Sequence, residues 1–306
     1  MRASAIRHLA AGKRSTLVAA AIFEHRVQIW DLDTKAAVKE FETVLSFGGD
    51  RLAMHPLGDR CIAAAWKAGK RGGVACYETR TGKLIWHRPD LRQTQRIRFS
   101  PGGEAAWCVP DSGPTKLLDS DSGTTVDVVA GLSNIFDSEY SADLLMEKRK
   151  RHYILRREKN LQIPRLTFAV LDAAFGPRSL TISESVGPVR CMDLLTGNEL
   201  WRHLPGRDAH FLRLWYREAD RNFYGVLWAF REARFRSLVR LDEKSGEPNV
   251  ICPLNSWVEA YCANLDCVIT SSGEVVGLSD GRLLNRLQFP ETDYPDRSES
   301  VELPTV

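Results

Sequence analysis

A short hairpin pattern recurs along the chain, and it constrains the fold more than any other feature of the sequence. An apolar strand is followed by an acidic residue, two variable residues, Thr or Ser, Gly, and a second apolar strand. Glycine supplies the positive φ angle of a tight turn, and Asp, Ser and Thr satisfy the backbone groups of the turn. The copies are IWDLDTKAAV (29–38), CYETRTGKLIW (76–86), LLDSDSGTTV (117–126), CMDLLTGNELW (191–201), RLDEKSGEPNV (240–250) and VGLSDGRLL (276–284).

The turn positions of these hairpins are regularly spaced, with one exception. They fall at Lys35, Gly82, Gly123, Gly197, Gly246 and Gly281, which gives intervals of 47, 41, 74, 49 and 35 residues. The interval of 74 is double, and its midpoint is Asn160, a residue type that tolerates the left-handed region. Splitting the interval there predicts seven units, each with the length of a four-stranded propeller blade.

A second pattern lies upstream of the hairpins, where an apolar strand ends in a polar turn and a new apolar strand begins. LAMHPLGDRCIAAAW (52–66) and IRFSPGGEAAWCV (97–109) are examples. Together the two patterns predict an all-β, seven-bladed β-propeller of four-stranded antiparallel blades. The predicted blades are approximately 3–43, 44–91, 92–131, 132–166, 167–206, 207–254 and 255–290, followed by an acidic, flexible tail at 291–306.

Several of these segments resemble known repeats. FSPGGE (99–104) and IWD (29–31) resemble WD repeats, whereas CYETRTGKLIW and CMDLLTGNELW resemble the tryptophan-docking repeat of quinoprotein-like propellers. Cys76 and Cys191 stand in place of the alanine of that repeat, and Glu78 in place of its aspartate. The resemblance implies a propeller over nearly the whole chain, but a propeller fold does not define a function.

Composition narrows the class of protein further. The chain of 306 residues is 43% hydrophobic and 26% charged with a net charge of +3, a globular balance that implies neither a nucleic-acid nor a membrane partner. The apolar run at 16–23 is too short to span a bilayer. Seven cysteines without a CxxC pair indicate a reduced, cytoplasmic protein with cysteines in its core, although Cys262 and Cys267 are possible metal ligands.

No motif in the sequence indicates a catalytic centre or a cofactor site. Adjacent cysteines and a GxSxG elbow are absent, and the seven histidines are scattered over the blades. Trp86 and Trp201 are therefore interpreted as packing residues between blades rather than cofactor contacts. The alternative is a metal-dependent, lactonase-like hydrolase with Asp137, Glu184 and Glu259 directed toward the central channel.

Charge is predicted to differ between the two faces of the disc. The turns between the third and fourth strands are on balance acidic, whereas the loops between the second and third strands of alternate blades are basic. Arg beside exposed aromatic residues is typical of interface hot spots. The predicted partner-binding residues are Lys67, Lys70, Arg71, Lys148, Arg149, Lys150, Arg151, Phe230, Arg231, Arg234, Phe235 and Arg236.

These observations predict a non-catalytic protein-interaction module that presents its basic face to an acidic protein partner, as a scaffold or as an inhibitor or immunity-type binder. A second alternative is binding of nucleic acid through phosphate contacts on the same face. No cofactor is expected.

Overall fold

The computed structural model describes residues 6–22, 25–45, 51–65, 72–110, 112–129, 133–135, 145–149, 152–156, 161–162, 170–185, 187–206, 208–229 and 236–289. Every regular element among these residues is a β-strand. In the described part of the chain, no helix has the length and apolar character that crossing a membrane would require.

The strands form consecutive four-stranded antiparallel sheets. The first sheet contains β1 (Ile6–Ala11), β2 (Leu17–Ile22), β3 (Arg26–Asp31) and β4 (Ala36–Glu42). The second contains β5 (Arg51–Met54), β6 (Arg60–Ala65), β7 (Gly73–Glu78) and β8 (Leu84–Arg88). The third contains β9 (Thr94–Phe99), β10 (Ala105–Pro110), β11 (Thr115–Asp119) and β12 (Thr125–Val129). Next come β13 (Ser133–Ile135), β14 (Leu145–Arg149), β15 (His152–Arg156) and β16 (Leu161–Gln162). The fifth sheet contains β17 (Val170–Phe175), β18 (Ser179–Glu184), β19 (Val189–Asp193) and β20 (Glu199–His203). The sixth contains β21 (Ala209–Arg217), β22 (Asn222–Ala229), β23 (Arg236–Leu241) and β24 (Pro248–Leu254). The last contains β25 (Val258–Cys262), β26 (Cys267–Thr270), β27 (Glu274–Gly277) and β28 (Leu283–Arg286).

The first strand of each sheet lies at the centre of the molecule. Within a sheet the strands follow chain order, and β1 contacts both β5 and β25, the first strands of the sheets on either side. Leu9 and Val18 of the first sheet share a buried core with Ile269 of the last, and the Trp30 ring lies 5.7 Å from that of Phe289. The two ends of the chain therefore meet through apolar packing, as a propeller requires.

The hairpin turns adopt the predicted conformation. Gly82, Gly123, Gly197, Gly246 and Gly281 have φ angles between 69° and 74°, and Lys35 has a φ of 58°. In each turn with glycine, the glycine N–H donates to the carbonyl oxygen four residues earlier, as between Gly197 and Asp193 at 2.9 Å. The Asp193 carboxylate also accepts the N–H groups of Leu195 and Thr196 at 2.8 Å each. The acidic residue and the glycine of the pattern thus stabilise one turn together.

The two docking tryptophans pack between neighbouring sheets, which confirms the packing interpretation. Trp86 of the second sheet donates its indole N–H to the carbonyl of Ser120 in the third sheet at 3.0 Å, and its ring lies against Gly123. Trp201 of β20 lies against Gly246 in the same way. A β-carbon added at Gly246 would lie 2.1 Å from the Trp201 ring, so glycine is required there both for its φ angle and for the space it leaves.

The cysteines lie in the core, as predicted. All are free thiols, and all except the half-buried Cys252 are buried. Cys262 and Cys267 face each other as paired residues of the β25–β26 hairpin. Among the described residues no three His, Cys, Asp or Glu side chains gather as a metal site.

The predicted number of blades needs correction. Six of the four-stranded sheets are complete blades whose side chains are described, and these supply the packed cores of the molecule. The fourth ladder, β13–β16, is described by its backbone alone, and its outermost strand has only two residues. The structure thus supports a propeller of six complete four-stranded blades rather than seven. The seventh hairpin turn is predicted at Asn160, which lies outside the described residues.

Candidate binding face and arginine-lined channel

The strand order gives the disc two distinct faces. The hairpin turns between third and fourth strands, which include Gly123, Gly197 and Gly246, open on one side, which we call the turn face. The connections between second and third strands and those between sheets, such as Ser256 and Trp257, open on the other side, which we call the loop face.

Of the twelve predicted partner-binding residues, only Arg236 has a described side chain. Lys148 and Arg149 lie in β14 by their backbone. The remaining predicted residues lie outside the described part of the chain: Lys67, Lys70, Arg71, Lys150, Arg151, Phe230, Arg231, Arg234 and Phe235. Their grouping on one face remains a prediction.

Arg236 belongs to a cluster of aromatic rings on the loop face. It is the first residue of β23, and its guanidinium carbon lies 3.7 Å from the centre of the Trp257 ring. Trp257 in turn packs edge-on against Trp228 at 5.3 Å between ring centres, and Trp228 packs edge-on against His210 at 5.0 Å. We call these four residues the Arg236 cluster. It joins two blades, because Trp257 lies in the connection that leads to the last sheet.

The Arg236 cluster combines exposed apolar area with positive charge. Trp257 is 39% exposed, whereas His210 is buried beneath Trp228. Burial lowers the pKa of both Arg236 and His210. A guanidinium held over an indole face retains its outward N–H donors while the ring covers one of its sides. This arrangement is suited to a partner that supplies carboxylates and an apolar contact.

Three of the hairpin turns on the turn face carry aspartates. Asp119, Asp193 and Asp242 occupy equivalent turns. Hydrogen bonds from Ser122, Thr196 and Ser245 respectively lower the pKa values of these carboxyl groups, so each turn holds an ionised aspartate. The acidic character predicted for these turns therefore has a structural basis.

The central channel is lined by polar residues from the inner strands. His8 lies in β1, Arg51 in β5, and Arg96 and Arg98 in β9. Asp172 lies in β17 and Arg213 in β21. A β-bulge directly precedes His8, Arg96, Asp172 and Arg213. A bulge adds a residue to one strand and changes the direction of the following side chain. The repeated bulges therefore help to turn polar residues toward the channel.

Two of these channel groups bind the backbone of the neighbouring sheet. His8 Nδ1 accepts the N–H of Leu52 at 3.2 Å, and Asp172 Oδ2 accepts the N–H of Leu214 at 2.9 Å. Burial, together with the nearby Arg213, lowers the pKa of His8 to about 3, so the ring is neutral near neutral pH. Burial raises the pKa of Asp172, against the opposing effect of the arginines.

The two described carboxylates of the lactonase-like alternative, Glu184 and Glu259, do not lie together in one site. Asp137 lies outside the described residues. Glu184 ends β18, the second strand of its sheet, and its fully buried carboxylate accepts the Nε–H of Arg190 at 2.7 Å. Glu259 does lie at the channel, where burial raises its pKa. Glu184 and Glu259 are thus in separate environments, one neutralised by an arginine and the other facing the channel.

Sequence reasoning missed the channel arginines and Trp257. The available signal was the alignment of the inner strands, which places Arg51, Arg96 and Arg213 in the same part of three blades. Trp257 follows a strand and lacks any surrounding motif.

Comparisons with known proteins identify the fold but no family. No protein-family model matches the chain, and no curated protein matches its sequence. Solved structures do match: the structure of U3-55K has a TM-score of 0.68 at 10% identity, with 87% of this chain and 88% of that chain covered. A crystal structure of the RRP9 WD40 repeats has a TM-score of 0.68 at 10% identity, with 87% of each chain covered. The chain therefore has the fold of WD40-repeat propellers, and at this identity the likeness concerns the fold alone. A quinoprotein-like character is not shown.

Proposed function

We propose that this WD40-type propeller is a non-catalytic protein-interaction module that binds an acidic protein partner through its loop face. The observation that carries the proposal is the Arg236 cluster, in which a partly exposed Trp257 lies under the Arg236 guanidinium. Tryptophan and arginine dominate the binding energy of protein interfaces. The proposed role is that of a scaffold or of an inhibitor or immunity-type binder.

The charge of the two faces supports the choice of an acidic partner. Aspartates occupy hairpin turns of the turn face, whereas Arg236 lies on the loop face, where the sequence also predicts the basic loops. Opposite potentials steer an acidic protein toward one side of the disc and away from the other. The free cysteines favour a reducing compartment, and we propose the cytoplasm.

The two ends of β23 provide a matched test of this proposal. Arg236 begins the strand on the loop face, and the exposed Arg240 lies near its other end, toward the turn face. Affinity purification from the native host, followed by quantitative mass spectrometry, should recover an acidic protein with the wild-type chain. Arg236→Ala and Trp257→Ala should each reduce its recovery about tenfold or more, as expected for hot-spot residues. Arg240→Ala should leave the recovery unchanged.

Binding should then be reproduced with the purified partner. The affinity should fall with rising salt concentration, because part of the attraction is between exposed charges. Equal recovery with Arg236→Ala and wild type would contradict the proposal. Recovery of nucleic acid instead of protein, with a steep salt dependence, would replace it by the nucleic-acid alternative.

A further inference from the structure

Two cysteines face each other across the inner hairpin of the last sheet. Cys262 ends β25, Cys267 begins β26, and the two are paired residues of the antiparallel ladder. Directly opposed residues of such a ladder have Cα atoms about 4.5 or 5.5 Å apart, and both distances fall within the range that a disulfide requires. Both cysteines are free thiols, and both are buried. The backbone is therefore compatible with a disulfide across this hairpin.

The two thiols also contact each other. The Cys267 thiol donates a hydrogen bond to the Cys262 sulfur, and this contact lowers the pKa of Cys262 and raises that of Cys267. At the buried Cys108, by contrast, burial is the largest influence and raises the pKa to about 12. The thiolate is the reactive form of cysteine, so Cys262 is the stronger nucleophile of the pair.

The hairpin that carries the two cysteines is held by both neighbouring sheets. The Cys262 thiol donates to the carbonyl oxygen of Ser15, in the first sheet's turn between β1 and β2, at 3.5 Å. Asp266 directly precedes Cys267, and its carboxylate accepts the Nε–H of Arg217 in the sixth sheet at 2.7 Å. These contacts hold the hairpin in place, so the two thiols stay opposed.

We propose that Cys262 and Cys267 are a redox-sensitive modification site, which hydrogen peroxide converts to a disulfide. The Cys262 sulfur attacks one peroxide oxygen, the O–O bond breaks, and the thiol proton leaves with the other oxygen as water. The Cys267 sulfur then attacks the sulfenic acid formed at Cys262, the S–O bond breaks, and the hydroxyl group leaves with the Cys267 proton as water. The two thiols are oxidised and one peroxide is reduced to two waters.

The position of the pair determines which oxidant can reach it and what its oxidation changes. The cysteines flank a four-residue turn, 263–266, in which Asn264 is exposed, so local opening of this turn admits a molecule as small as peroxide. In a reducing compartment, disulfides of this kind are transient and serve in redox sensing. The disulfide removes the S–H group that Cys262 donates to Ser15, so oxidation acts at the junction of the first and last sheets.

The experiment treats the folded full chain with hydrogen peroxide, removes the peroxide with catalase, and then unfolds the chain and alkylates it with iodoacetamide. Digestion before aspartate residues separates the two cysteines, because Asp266 lies between them, so only a disulfide joins their peptides. Mass spectrometry should find the linked peptides, and dithiothreitol should separate them. Cys262→Ser should abolish the link and leave Cys267 open to alkylation. Cys61→Ser is the matched control, since Cys61 is equally buried, and it should give the wild-type yield of linked peptides.

A comparison within the wild-type chain keeps the proposal testable if Cys262→Ser fails to fold. Cys61 and Cys76 lie on neighbouring strands of the second sheet but belong to different buried cores, so they should not become linked. Arg236→Ala should form the disulfide between Cys262 and Cys267 as wild type does, which separates this site from the proposed protein-binding face. A link that forms only after urea unfolds the chain, or equal linkage among the other cysteines, would overturn the site.

Discussion

The outer hairpins and the inner strands of this propeller are ordered by different interactions. A hairpin turn such as 242–246 is held by Asp242, whose carboxylate accepts the N–H groups of Lys244 and Ser245, and its glycine touches Trp201 of the preceding blade. An inner strand such as β9 presents Arg96 and Arg98 toward arginines from other blades. The hairpins therefore stabilise the ring, whereas the inner strands bring buried charges together at the channel, where burial lowers the pKa of Arg96.

The largest effect should come from removing a tryptophan that joins two blades. Trp201→Ala should lower the free energy of unfolding by about 3 to 5 kcal/mol, because it leaves a large cavity against Gly246. Leu200→Ala, at the neighbouring exposed position, should change it by less than about 0.5 kcal/mol. Urea denaturation followed by tryptophan fluorescence or circular dichroism measures both. Similar losses for the two variants would contradict the docking interpretation.

A pH-dependent effect should come from His8 at the channel. Its pKa is about 3 in the folded chain against an ordinary value of 6.5, so the unfolded chain binds a proton between these values that the folded chain does not. The contribution of His8 to the free energy of unfolding is fully present above pH 6.5 and decreases as the pH falls toward 3. Relative to His8→Asn, wild type should lose about 3 kcal/mol more between pH 7.5 and pH 4.

The comparison with His8→Asn isolates the histidine, because the other groups of the channel titrate in both proteins. These are Asp172 and Glu259, with raised pKa values, and the arginines around them. The Asn side-chain oxygen retains an acceptor for the N–H of Leu52. If the free energy of unfolding changed with pH in parallel for the two proteins, the His8 ring would not be kept neutral in the folded chain.

A smaller effect should distinguish two glycines that both have positive φ angles. Gly246→Ala should lower the free energy of unfolding by about 2 kcal/mol, because a β-carbon there meets the Trp201 ring in addition to straining the backbone. Gly113→Ala, where nothing lies within 4 Å of the added carbon, should cost about 1 kcal/mol for backbone strain alone. Equal losses in the free energy of unfolding for the two substitutions would contradict a packing role for Gly246.

The smallest effect should have the opposite sign. Arg96→Met should raise the free energy of unfolding by about 1 kcal/mol, because it removes a charge that burial and neighbouring arginines disfavour. Arg202→Met, which removes a surface ion pair with Glu199, should lower it by up to about 1 kcal/mol. Thermal denaturation at low salt concentration compares the two, and a loss of stability in Arg96→Met would contradict the view that the channel charge opposes folding.

The parts of the molecule that the sequence predicts are those in which neighbouring residues determine the structure. The turn glycines and the two docking tryptophans are short patterns whose geometry depends on a few adjacent residues, and the structure confirms them. The predicted number of blades is wrong because it depended on Asn160, where the pattern has no glycine. The channel depends on closure of the ring, which brings Arg51 and Arg213 of different blades together, and on bulges such as the one before Arg213; periodicity within one strand does not reveal such contacts.

Hydrogen–deuterium exchange with the purified partner tests the loop-face account most directly. Binding should slow exchange in residues 226–229, which include Trp228, and in residues 254–258, which surround Trp257 and connect the last two sheets. Exchange at the hairpin turns 119–123, 193–197 and 242–246 should not change. Protection confined to these hairpin turns would place the partner on the acidic side of the disc and contradict the account.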